Sequence, residues 1–163
     1  MPNWMERTVI LGAVLAASPA SAQWAFSETV DAMTDEKSAR AFIDGEGGRI
    51  GVKCDEPGSN SLYIHVISSR YLGGSGLRGG YRTGMVRFDG DAPEENSWYF
   101  DESSSILTEG AHVWPFIDRL KRSKKLAWRG STYDNHQVTI SFDVPQNFEE
   151  IDKVVAACEA VRL

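Results

Sequence analysis

Cysteine and histidine are scarce in this sequence. Two cysteines, Cys54 and Cys158, and three histidines are spread over 163 residues. His65, His112 and His136 do not fall at metal-ligand spacing, so no metal site is expected. A Cys-x-x-Cys pair is also lacking, which removes the usual dithiol redox motif. There is no Gly-x-Ser-x-Gly elbow, no His-Glu-x-x-His pair and no Gly-Lys-Ser/Thr phosphate loop. The glycine-rich LGGSGLRGG, residues 72–80, lies between strand-like segments and reads as a hairpin connection. Positive charge is not in excess either: 17 Lys and Arg against 23 Asp and Glu give 17 − 23 = −6. That balance disfavours nonspecific binding to nucleic acid or to an anionic membrane. These absences leave no readable catalytic constellation, and neither enzymatic activity nor a cofactor is expected.

Long apolar runs are missing as well. The run from Val9 to Ala17 has 9 residues, far short of the roughly 20 that span a bilayer. It follows Arg7 and precedes Ala20-Ser21-Ala22, the small-x-small boundary of a secretory signal peptide. Residues 1–22 are therefore read as a signal peptide and 23–163 as a single exported domain, in the periplasm or secreted. No stable membrane span is expected after cleavage.

Export changes the meaning of the cysteines. In an oxidising compartment two cysteines are most simply a structural disulfide. In RIGVKC, Ile50, Val52 and Cys54 alternate with Gly51 and Lys53, which places Cys54 on the apolar face of a strand. In NFEEIDKVVAACEAV, Phe148, Ile151, Val155, Cys158 and Val161 recur at helical spacing. Both sulfurs are thus expected to point inward, and Cys54 and Cys158 to bond.

The rest of the chain reads mostly as strands. Asp31 to Glu36 is a turn, and Ala39, Ala41 and Ile43 alternate toward a glycine turn at 45–48. DEPGSN is another turn signal. SLYIHVISS is apolar on both faces, as in a central strand. GMVRFDG and SWYFDES are two further strands about an acidic loop. In VWPFIDRL, Val113, Phe116, Ile117 and Leu120 share one helical face, with Pro115 assigned to the first turn. The basic residues Lys121, Arg122, Lys124 and Lys125 follow as a solvated C-terminal turn. KLAWRG and HQVTISFDV form a strand pair, and Asn147 with Glu150 opens the last helix as a capping-box variant. The expected fold is α+β: mainly an antiparallel sheet or small β-sandwich, with two short helices packed on it and the C-terminal helix tied by the disulfide.

Several features recur in an order that resembles a known family. Trp24 precedes a Met33-Thr34-Asp35 turn, a strand ends in Ile50-Gly51-Val52-Lys53-Cys54, and Leu62-Tyr63-Ile64 follows. VRFDG, Val86 to Gly90, precedes Trp98; WPFIDRLKRSKKLAWR, ISFDV and a helix containing Cys158 close the chain. This order, over nearly all of residues 23–163, is similar to the small periplasmic accessory proteins associated with type VI secretion, the VasI or TagO type. LGGSGLRGG departs from that pattern. The resemblance implies an exported, non-catalytic accessory domain that binds a protein in the periplasm or cell envelope, and it carries over no catalytic residue. Two alternatives come from other classes. One is an inhibitor or immunity-type protein acting on a cell-envelope enzyme. The other is a cell-envelope hydrolase using loop carboxylates such as Asp89, Asp91, Glu94, Glu95, Asp101 and Glu102.

A binding domain would expose aromatic and arginine side chains on loops or an open sheet face. SRYLGGSGLRGGYR supplies Arg70, Tyr71, Leu72, Leu77, Arg78 and Tyr81, with Arg82 beside them. DGDAPEENSWYF supplies Trp98 or Tyr99, whichever faces outward.

Overall fold

The computed structural model describes residues 22–55, 61–74 and 80–159. Residues 1–21, most of DEPGSN and the segment holding Leu77 and Arg78 lie outside the described residues, and so does Val161. Nine strands form one antiparallel sheet. They are β1 (Ala25–Val30), β2 (Lys37–Gly45), β3 (Gly48–Cys54), β4 (Leu62–Ser68), β5 (Gly80–Phe88), β6 (Glu94–Asp101), β7 (Ser104–Leu107), β8 (Lys125–Ser131) and β9 (Gln137–Asp143). Helix α1 (Gly110–Leu120) follows β7, and α2 (Glu149–Glu159) follows β9. The strand order is β1-β2-β3-β4-β7-β6-β5-β8-β9. β4 is indeed central, as its two apolar faces require.

The sheet coils on itself. β9, last in the order, returns to the β2–β3 turn, where Glu46 N donates to Ser141 O at 3.2 Å. Gly45 is essential at this meeting, because a Cβ there would lie 2.4 Å from both Phe142 Cδ1 and Ser141 O. The inward side chains follow from strict alternation. They include Ala41 and Ile43 of β2, Ile50 and Val52 of β3, Ile64 and Val66 of β4, Trp98 and Phe100 of β6, and Trp128 of β8. Trp98 and Trp128 meet edge to face with centroids 6.1 Å apart, and both are fully buried.

Both helices add to this concave core. On α1 the four expected residues, Val113, Phe116, Ile117 and Leu120, are the buried ones. Phe116 packs edge-on against Phe88 and Trp98. Pro115 sits in the second turn, not the first, because α1 begins at Gly110. Lacking an N–H, it cannot bond the Ala111 carbonyl, which lies at the exposed start of the helix. On α2 the buried stripe is Ile151, Val154 and Cys158, with Phe148 and Val155 partly buried. Asn147 Oδ1 accepts the Glu149 N–H at 3.1 Å, while Glu150 turns to Lys153 instead of back toward Asn147. Of the basic run, Lys121 bonds Asp152 of α2, and the Lys124 and Lys125 N–H groups donate to Asp89 Oδ1.

Cys54, at the end of β3, is disulfide-bonded to Cys158 near the end of α2, with Cα atoms 5.8 Å apart at a sequence separation of 104. The bond clamps α2 over β2 and β3. In the chain-entropy description, closing a loop near a hundred residues stabilises the fold by about 4–5 kcal/mol. Cys158→Ser should therefore lower unfolding free energy by about 2–5 kcal/mol, read from denaturant titration. Intact mass should rise by about 2 Da on reduction; rapid alkylation of both cysteines without reductant would contradict the bond.

Candidate functional site

The rim at one end of the coiled sheet is built on inward anchors. After β4 the chain is held by Leu72 N and Gly73 N, which donate to Glu102 O at 2.6 and 3.1 Å. Leu72 is completely buried. Gly73 has φ +94 and touches Tyr133 so closely that a Cβ would lie 2.4 Å from Tyr133 Cβ. Arg82 of β5 reaches from inside the sheet to the same place. Its guanidinium donates to Leu72 O at 2.9 Å, Ser131 O at 3.2 Å and Thr132 O at 3.4 Å, and stacks 4.0 Å above the Phe100 ring. Burial pushes its pKa down, but a guanidinium starts so high that the group stays charged. Arg82 thus ties two loops together with one cation.

Two tyrosines stand on this support. The Thr132–His136 turn is fixed by His136 N donating to Thr132 Oγ1 at 3.0 Å, with Asn135 at φ +64. Tyr133 is 71% exposed and Tyr71 is 50% exposed, and their rings meet edge to face at 5.9 Å. Arg70, beside Tyr71, is exposed.

The convex face of the sheet carries a second aromatic row. The registers Phe42↔Gly51, Gly51↔His65, His65↔Ile106, Ile106↔Tyr99 and Tyr99↔Tyr81 place these residues side by side across β2, β3, β4, β7, β6 and β5. Gly51 leaves room for the Phe42 ring, since a Cβ there would come within 2.7 Å of it. Tyr81 and Tyr99 meet edge to face at 5.6 Å, and Tyr81 is 60% exposed. Next to this row lies a polar group: Lys53 Nζ is 2.6 Å from Asp55 Oδ1, and Tyr63 Oη donates to Asp55 Oδ2 at 2.6 Å. Burial pushes the Asp55 carboxyl up, but the bonds from Lys53 and Tyr63 outweigh it and hold the group low. Burial and the Asp55 bond push the Tyr63 phenol up, so it remains protonated.

His65 lies beside a hydroxyl: its Nε2 is 3.1 Å from Ser104 Oγ. A nucleophile–base pair needs a third group to orient the imidazole. Here Nδ1 is buried and has no partner among the described residues. Burial, with Lys53 and Arg40 nearby, lowers the His65 pKa to about 4, Asp55 opposing. The pair lies on the convex face and lines none of three recesses among the described residues. One of these, about 480 Å³, lies where the sheet ends meet and is bordered by Asp44, Glu46, Arg87, Asp89, Lys125 and Asp143. Its Asp89 carboxyl is held low by the Lys125 and Lys124 N–H groups, opposite to what a general acid needs. Among the described residues, no three His, Cys, Asp or Glu side chains are grouped to hold a metal ion.

The sequence candidates therefore divide. Tyr71, Tyr81 and Arg70 are exposed, as expected. Leu72 and Trp98 are corrected to core residues, each with 0% exposure: Leu72 because its loop folds inward onto Arg82, Trp98 because β6 alternation turns Tyr99 outward instead. Arg82 likewise faces inward. For Tyr133, only its place in a TYDNH turn between two strands signals its exposure in the sequence. No protein-family model, curated protein or solved structure matches this chain.

His65 makes stability depend on pH. Its folded pKa lies below the value near 6.5 of an unfolded chain, so the unfolded state binds the extra proton as pH falls from about 6.5 to 4. Stability is full above that window and is lost through it. Between pH 7 and pH 5 the loss due to this group is about 2 kcal/mol. The His65→Gln variant should show a correspondingly smaller difference between the two pH values. Identical pH dependence in both proteins would contradict the burial assigned to His65.

Proposed function

We propose that this chain is an exported, non-catalytic accessory domain that binds a protein partner in the periplasm or cell envelope. The class of process, type VI secretion, is taken from the family resemblance in the order of its motifs. The observation that carries the binding reading is the rim: an exposed tyrosine pair, Tyr71 and Tyr133, set on loops that a buried leucine and a half-buried, inward-facing arginine hold fixed. Large rings that protrude from a fixed backbone lose little conformational freedom on binding, which is why tyrosine and arginine are enriched at hot spots. Tyr81 and Tyr99 extend the aromatic surface over the convex face. The disulfide is compatible with an oxidising compartment, and no described helix is long and apolar enough to cross a membrane.

Another reading of the sequence, an envelope hydrolase, places the function in loop carboxylates. The described aspartates with a displaced pKa, Asp31, Asp55, Asp89 and Asp134, all move downward. That direction describes ionised groups held in bonds, and of the four only Asp89 is among the loop carboxylates of the hydrolase reading.

The test is crosslinking capture from periplasm with the parent, with the Tyr71→Ser/Tyr133→Ser double variant, and with Val30→Ser as an exposed control. The double variant should melt within a few degrees of the parent and lose at least about tenfold in capture of the parent's partner, equivalent to about 1.4 kcal/mol. Val30→Ser should capture normally. Equal capture by the double variant would remove the rim from the interface, and hydrolysis of envelope material by the parent would overturn the non-catalytic reading.

A further inference from the structure

The chain becomes fixed at one residue near its start. Trp24 is 7% exposed, packs on Phe148 with centroids 6.5 Å apart, and donates from Nε1 to Pro145 O at 3.4 Å. The β1–β2 ladder begins one residue later, at Ala25↔Phe42. Gln23 comes immediately before this anchor. It is exposed, outside the ladder, at the edge of a recess that also involves Pro145, Gln146 and Glu150. Ala20-Ser21-Ala22 precedes it, so cleavage at the expected position makes Gln23 the first residue.

From this arrangement we infer that Gln23 is a modification site, where the new N-terminus closes on its own side chain to give pyroglutamate. The inference rests on the reading of residues 1–22 as a cleaved signal peptide. The step balances within one residue. Nα attacks Cδ of the side-chain carboxamide, a C–N bond forms and the Cδ–Nε2 bond breaks. Nε2 leaves as ammonia, taking the proton that Nα gives up. No oxidant, reductant or second substrate is needed. The five-membered ring brings amine and carbonyl together intramolecularly, which is worth a large effective concentration. The fold contributes in two ways. It leaves Gln23 Nα outside the ladder, and it buries Trp24 so that trimming past Gln23 is opposed.

Cyclisation removes the terminal positive charge, as other terminal modifications do, and leaves no primary amine for an aminopeptidase. Residues 1–22 contain Glu6 and Arg7 and no other charged side chain. Cleavage therefore leaves the side-chain balance at 16 − 22 = −6, and the ring removes the remaining α-ammonium.

The experiment is intact-mass measurement of the full-length chain exported by a Gram-negative host, recovered from periplasm, reduced, and incubated at neutral pH. The mass expected is that of residues 23–163 less about 17 Da, with the N-terminal peptide refractory to Edman degradation. Gln23→Asn, processed at the same bond, should keep its full mass and an open amine. A parent chain that begins at Gln23 and keeps an open amine after incubation would overturn the modification and leave the cleavage reading intact. A chain that retains Met1, or begins at any other residue, would overturn the cleavage reading and the modification together.

Discussion

Two indoles lying over two glycines set the shape of this protein. The Trp98 ring covers Gly84 of the neighbouring strand, where a Cβ would sit 2.6 Å from Cδ1. The Trp128 ring covers Gly130 two residues along its own strand, where a Cβ would sit 2.4 Å from Cη2. With no side chain beneath them, the indoles lie flat inside the coiled sheet, and Phe100, Phe88 and Phe116 close around them. Neither glycine has positive φ, so the reason for glycine here is space and not backbone conformation. Both indole nitrogens are buried without a partner among the described residues, a cost that this aromatic packing must offset.

The two faces of the sheet follow from that interior. The concave side is filled by the aromatics and sealed by two helices, one of them clamped by Cys54–Cys158. At the rim, Arg82 replaces an apolar plug: it stacks on Phe100 and donates to the carbonyls of Leu72, Ser131 and Thr132. The convex side carries the Phe42–His65–Ile106–Tyr99–Tyr81 row, over which neither helix packs its buried stripe. Binding, as proposed, belongs to the surfaces that the core leaves exposed. On the α1 side, the acidic β5–β6 loop is drawn in, since Asp91 and Glu94 both pair with Arg119, which itself lies over Phe88.

Much of this was legible in the residues because alternation and helical spacing are local signals. The buried face of α1, the strands about Cys54 and Val138–Val144, and the inward direction of both cysteines follow from that spacing. β1 and β7 were not legible. AFSETV has little alternation, and SSIL is four residues long with two serines, so only pairing with neighbours makes them strands. The rim was half legible. A glycine-rich, tyrosine-containing segment signals a loop, but whether Leu72 or Tyr71 turns inward depends on tertiary contacts with Glu102, between β6 and β7, and with Arg82 of β5. Trp98 and Tyr99 show the same limit: alternation says that one faces outward, and the space over Gly84 decides which.

The central claim, that glycine space beneath the indoles sets the coil, has a direct measurement. A strand glycine with ordinary φ is normally stabilised by alanine, by about 0.4–1 kcal/mol, through loss of unfolded-state freedom. Overpacking a filled core instead costs about 1–3 kcal/mol. Denaturant unfolding of Gly84→Ala and Gly130→Ala should therefore show both variants less stable than the parent by about 1–3 kcal/mol. Variants as stable as the parent, or more stable, would contradict the account.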